Sequence, residues 1–151
     1  YCATSTHGNW TLIGIDSCVT GEAGGLISDT ELQRVMDELQ KSNTPHALLY
    51  LHHPPIDLGS KWLDSVRLEN GSQLLTQLQE ADTARVLLFG HAHQAADTDV
   101  GTLRILGTPS TCRQFKPGSD RYAVDDNPPA YRQITLYEDG DIDTRLVWID
   151  E

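Results

Sequence analysis

The chain has 151 residues, about the length of one domain, enough to bury roughly two thirds of its unfolded surface and too short for a multidomain machine. Apolar residues make up 38%, and Lys+Arg 11 against Asp+Glu 22 leaves a net charge of −11. That balance excludes intrinsic disorder, collagen and coiled coil, and it repels nucleic-acid backbones and anionic membrane surfaces.

No apolar run approaches the roughly 18 residues of a membrane helix, so neither nucleic acid nor a membrane is an expected partner. The start, Tyr1-Cys2-Ala3-Thr4, does not read as a signal peptide, and a first residue other than Met suggests a fragment of a longer protein. Cys2, Cys18 and Cys112 are odd in number and widely spaced. They suggest neither a disulfide framework nor a zinc knuckle, and a reducing, cytoplasmic setting is expected.

In chain order, Thr11 to Asp16 is nearly continuous in apolar, β-branched residues and reads as a buried strand. A Gly-rich turn leads to Ser28-Asp29-Thr30-Glu31, a capping box that opens a helix with Leu32, Val35, Met36 and Leu39 on one face. A second buried strand, Ala47 to Leu51, runs into His52-His53-Pro54-Pro55; a helix with Leu74, Leu75 and Leu78 follows, then a third strand, Arg85 to Phe89. Alternation of this kind predicts parallel βαβ units sandwiched between helices. Farther on, Leu103 to Leu106, Tyr131 to Tyr137 and Ile142 to Ile149 alternate apolar and polar and read as antiparallel strands, the last two joined across Asp139-Gly140. Thr108 to Ala130 has no period and reads as a long functional or mobile loop.

Two buried strands end in histidines, His52-His53 and Gly90-His91-Ala92-His93, and ligand sites of α/β sheets gather at such carboxyl ends. In an extended segment His91 and His93 would project to one side, with Gly90 allowing a sharp turn. Neutral imidazole is the commonest metal ligand, so this cluster predicts a metal site, whereas His7 and His46 read as structural. A metallo-β-lactamase-type site would require Asp-His shortly after the pair, and Gln94-Ala95-Ala96-Asp97 stands there instead.

Leu51-His52-His53-Pro54-Pro55 followed by Phe89-Gly90-His91-Ala92-His93 resembles the last two signature blocks of the calcineurin-like metallophosphoesterases. Trp62-Leu63-Asp64, Leu68 to Gly71, Thr108 to Cys112 and Gln114 to Pro117 are similar to bacterial Icc-type cyclic-AMP phosphodiesterases, so the resemblance spans nearly the whole chain. It implies an α/β (α+β) fold, part of a four-layer αββα sandwich with a mixed sheet. It also implies a metal-dependent hydrolysis of cyclic AMP or a related small phosphodiester, with two divalent ions, Fe, Mn or Zn. In that family His52 and His91 would hold one ion and His93 its partner.

The family's earlier blocks, Asp-x-His, Gly-Asp and Gly-Asn-His-Asp or Glu, are absent. They supply the bridging carboxylate, an Asn ligand and the acid for the leaving group. Residues 1–151 therefore resemble the C-terminal portion of such a domain, inactive or weak alone and without a catalytic residue of their own. Losing the carboxylates leaves neutral imidazoles facing dications, so metal binding is expected to be weak.

Substrate-binding candidates are His53, Asn70 and Arg113, the last within a basic patch that includes Lys116 and Arg121. Asn70 would also serve as a helix cap and Trp62 as a packing anchor. Asp16 reads as structural, and Cys112 as buried and inert. Other readings are a glycerophosphodiesterase or phosphomonoesterase on the same scaffold, a non-catalytic interaction module, or a homodimer joined along an exposed sheet edge.

Overall fold

A computed structural model describes residues 2–149. Its centre is a six-stranded sheet in the order β1-β2-β3-β4-β6-β5, formed by β1 (Thr4–His7), β2 (Trp10–Gly14), β3 (His46–Leu51), β4 (Ala84–Phe89), β5 (Ala96–Val100) and β6 (Leu103–Gly107). β2, β3, β4 and β6 run parallel, and the two edge strands are antiparallel to their neighbours. Edge strand β1 is exposed along its whole length and lacks an apolar residue, so it carries no hydrophobic period to read. β5, with Asp97 and Asp99, is similarly silent. β6, expected as an antiparallel strand, pairs antiparallel with β5 and also extends the parallel sheet beside β4.

Helix α1 (Asp29–Lys41) starts where the capping box places it: Ser28 Oγ accepts the Glu31 N–H at 3.1 Å. Helix α3 (Gly71–Gln79) follows the short α2 (Lys61–Asp64). The helices do not sandwich the sheet. Leu32, Val35 and Leu39 of α1 and Leu74, Leu75 and Leu78 of α3 pack into one core with Ile13, Leu49, Leu87 and Ile105. The reason is handedness: β2, β3 and β4 advance in one direction across the sheet, and right-handed crossovers advancing one way all fall on one face.

The other face is covered by a hairpin, β9 (Ala130–Leu136) and β10 (Ile142–Trp148). Ile134, Leu136 and Ile142 pack there on Trp10, Leu48, Val86 and Leu106. Trp10 Nε1 donates to Tyr137 O at 2.7 Å, and Arg132 reaches across to Gly107 O and Ala96 O. The layers thus run helix, sheet, hairpin. The long loop contains a two-residue ladder, β7 (Gln114–Phe115) with β8 (Val124–Asp125). Buried Gln114 secures it by accepting from Ser110 N and donating to Ser110 O and Pro128 O.

Candidate metal centre

Because β3 and β4 are parallel neighbours with Leu51 opposite Phe89, the residues just past their ends arrive side by side. Gly90 N donates to His52 O at 3.1 Å and holds the two corners together. His52 Nε2 and His91 Nδ1 then lie 3.0 Å apart. Two imidazole nitrogens that each sit about 2.0–2.1 Å from one zinc-like ion at ordinary coordination angles are separated by roughly 3.0–3.4 Å. The pair therefore fits a single cation, and the donor atoms of His52, His53 and His91 all lie within 4.8 Å of one another.

Electrostatics keeps these rings neutral. Burial, then the neighbouring imidazoles of His52, His53 and His93, lower the His91 pKa to about 4. Burial, followed by His93, also lowers that of His52. Neutral imidazole is the form that binds a metal, so the cluster is preset for a cation at neutral pH. Among the described residues this is the one group of three or more such donors, and it contains no carboxylate. Its chemistry suits one divalent ion such as zinc, iron or manganese and offers no anionic bridge to a second.

His53 turns away from solvent. It is 5% exposed, and its Nδ1 lies 2.8 Å from Ser17 Oγ. Gly25 packs so closely on the ring that an added Cβ would stand 2.4 Å from it, so only glycine fits there. The residue thereby fastens the loop after β2 to the end of β3.

His93 follows a different course. The 91–93 segment is not extended: His91 has φ 60° and His93 φ 49°, the left-handed region that non-glycine residues seldom occupy. His93 lies outside the group of three and stacks on Phe115, ring centroids 4.3 Å apart and planes within 3°. Its Nδ1 donates to Arg113 O at 2.9 Å, which leaves Nε2 of the neutral ring as the free donor atom.

Asn70 stands at the start of α3 without capping it. Its amide instead clamps the Ile27 backbone, accepting from the N–H at 3.0 Å and donating to the C=O at 2.9 Å. Arg113 is exposed beside Cys112 and Tyr122, whose side chains raise its pKa. Lys116 and Arg121 are exposed in the same loop, and Lys61 joins them through an ion pair with Asp120 at 2.7 Å. Trp62 packs edge-on against Phe115 and Tyr122. Asp16 accepts the Cys18 N–H in a local turn. Cys112 is exposed, not buried, because it sits on a surface turn whose N–H donates to Ser110 Oγ. His7 is exposed, and His46 is buried against Trp10. Ser17, Ser60, Gln94 and Phe115 secure the site's histidines and loops, and no sequence pattern marked them for this.

The fold resembles a dimetal phosphatase from Danio rerio with a TM-score of 0.60 at 16% identity, over 86% of this chain and 55% of that one. It also resembles PhoD, with a TM-score of 0.54 at 10% identity, over 72% of this chain and 28% of that one. In sequence it is 35% identical over 144 residues to the 3',5'-cyclic adenosine monophosphate phosphodiesterase CpdA of Pseudomonas aeruginosa, covering 95% of this chain and 53% of the relative. Against CpdA of Escherichia coli K12 the identity is 37% over 137 residues, covering 91% and 50%.

The chain is thus related in sequence to the CpdA phosphodiesterases and has the fold of dimetal phosphatases. The chain spans about half the length of the curated relatives it matches. A 3',5'-cyclic-nucleotide phosphodiesterase of Nostoc is 34% identical over 140 residues, covering 93% of this chain and 53% of its own. No family model matches the sequence. No described helix is long and apolar enough to cross a membrane.

Proposed function

We propose that this chain is the C-terminal, histidine-bearing portion of a metal-dependent phosphodiesterase, with cyclic AMP or a related small phosphodiester as substrate of the whole protein. The observation that carries the reading is the 3.0 Å approach of His52 Nε2 to His91 Nδ1 at the carboxyl ends of adjacent parallel strands. The relatives' cyclic-nucleotide phosphodiesterase activity supports the substrate class.

In this reading His52 and His91 hold one divalent ion, and the free Nε2 of His93 faces the second. Bound ions in such sites lower the pKa of a water and clamp the attacking and leaving oxygens of the ester. The chain's own contribution is to keep His52, His91 and His93 in place, with Arg113 offering an exposed guanidinium to a phosphate oxygen. His53 acts through position: it supports the corner that carries His52 and presents no free face to substrate. Asn70 similarly shapes the site's surroundings by holding Ile27. The expected setting is cytoplasmic, and the chain is read as a monomer or as a homodimer joined along β1.

The test is metal content and hydrolysis together. After dialysis against Mn2+ and then buffer, the chain should retain at most one ion, and His91→Ala should retain none. The whole protein should hydrolyse cyclic AMP in preference to glycerophosphodiesters and phosphomonoesters, and Arg113→Ala should raise KM while leaving metal content unchanged. Metal retained in full by His91→Ala would overturn the site, and preference for a monoester would overturn the substrate class.

A further inference from the structure

We infer that Phe115 is a positioning residue for His93, fixing the ring's orientation and tautomer so that Nε2 stays free for a ligand; the inference deepens, and rests on, the reading of His93 as a metal ligand.

Two contacts define the ring, and both come from one short stretch of chain. Arg113 O accepts the His93 Nδ1–H at 2.9 Å, and a carbonyl can only accept, so Nδ1 carries the proton in the neutral ring. Free neutral imidazole holds no such fixed choice, and the partner of one nitrogen decides what the other can do. Two residues on, the Phe115 ring lies flat against the imidazole, 4.3 Å away and within 3° of parallel. The stacked face opposes rotation about χ2, which is broad for histidine, and so keeps Nδ1–H on Arg113 O; orientation and tautomer are fixed together.

Phe115 is itself held on every side. Trp62 meets it edge-on at 4.9 Å and Tyr122 at 5.6 Å. Its backbone pairs with Val124 across the β7–β8 ladder. Its carbonyl accepts from Gln94 Nε2 at 3.3 Å, so residues 93 and 94 both hook onto the same stretch. Ser60, fully buried, ties the arrangement to α2 by accepting from Gly118 N at 3.0 Å and from Gln94 Nε2 at 3.4 Å. The irregular loop is in this respect a clasp built around one histidine. His93 has a left-handed backbone, φ 49°, and lies outside the group formed by His52, His53 and His91.

The experiment uses the chain with 15N-labelled histidine, read by long-range 1H–15N NMR at neutral pH without metal, and Mn2+ affinity by calorimetry on the whole protein, which supplies the remaining ligands of the second ion. In the unaltered chain His93 should show a single Nδ1–H tautomer. Phe115→Leu keeps apolar bulk but has no ring face to stack. It should convert the His93 signal to a mixture of tautomers and weaken Mn2+ binding by tenfold or more, in line with the usual effect of removing a ligand's supporting partner. Phe115→Tyr should restore both. An unchanged tautomer in Phe115→Leu would overturn the inference, because a purely structural phenylalanine would affect melting and not ring protonation. The underlying reading is tested separately by His93→Ala: unchanged Mn2+ affinity there would remove His93 from the metal site, while a Phe115-dependent tautomer would still uphold the clasp.

Discussion

The two faces of the central sheet are closed in different ways. On the helix face, Ile13, Leu49, Leu87 and Ile105 are all 0% exposed, sealed by α1 and α3, which the chain lays down between consecutive strands. On the hairpin face, Trp10, Leu48, Val86 and Leu106 are covered by chain from the far end of the sequence, while Leu12 and Leu88 stay partly open and Tyr50 is 41% exposed. Tyr50 lies across Gly14, the one strand position on that face that leaves room for its ring. Local crossovers thus complete one core unaided; the second depends on a distant hairpin that reaches only part of the surface.

This contrast can be broken by mutation, beginning with the largest effect. Leu87→Ala on the closed face should lower unfolding free energy by about 3 kcal/mol in urea titrations, since the packed helices cannot collapse into the void. Leu88→Ala, on the partly open strip, should cost less than Leu87→Ala, about 1–2 kcal/mol, because part of its side chain already meets water. If Leu88→Ala matched Leu87→Ala, the hairpin face would be as tightly closed as the helix face and the distinction would fail. Trp10→Phe should cost about 1 kcal/mol by deleting the donor to Tyr137 O, and should loosen the hairpin selectively in hydrogen exchange of β9 and β10.

The smallest effect is electrostatic, since the rings are partly open and solvent screens them. The His91 pKa is lowered from an ordinary value near 6.5 to about 4, so between those values the unfolded chain binds the extra proton. Metal-free chain should therefore lose stability as pH falls from about 6.5 towards 4, and no further from this residue below that. The urea midpoint of His91→Ala should fall less steeply over the same window.

The buried strands and the capped helix were legible because continuous β-branched runs and a 3.6-residue period report burial directly. Their arrangement on one face was not, because it follows from the order of strands across the sheet, which no local pattern carries. β1 and β5 escaped notice since Thr4–His7 and Ala96–Val100 have almost no apolar residues to alternate. At the site, the doubled histidines revealed His52 and His91, but the expectation that His91 and His93 share an extended backbone failed on two positive φ angles. Phe115 was hidden for another reason: a residue that supports a ligand across 22 positions of chain has no spacing to betray it.

The left-handed backbone at His91 and His93 has an evolutionary corollary. Each such residue gives up about 1–2 kcal/mol relative to an unstrained conformation, and glycine at either place would relieve the strain. Selection for folding alone would therefore favour glycine at both positions and erase the imidazoles. Any lineage that keeps histidine there is under pressure from something other than folding, and a library of this chain sorted only for thermal resistance should lose these two residues early.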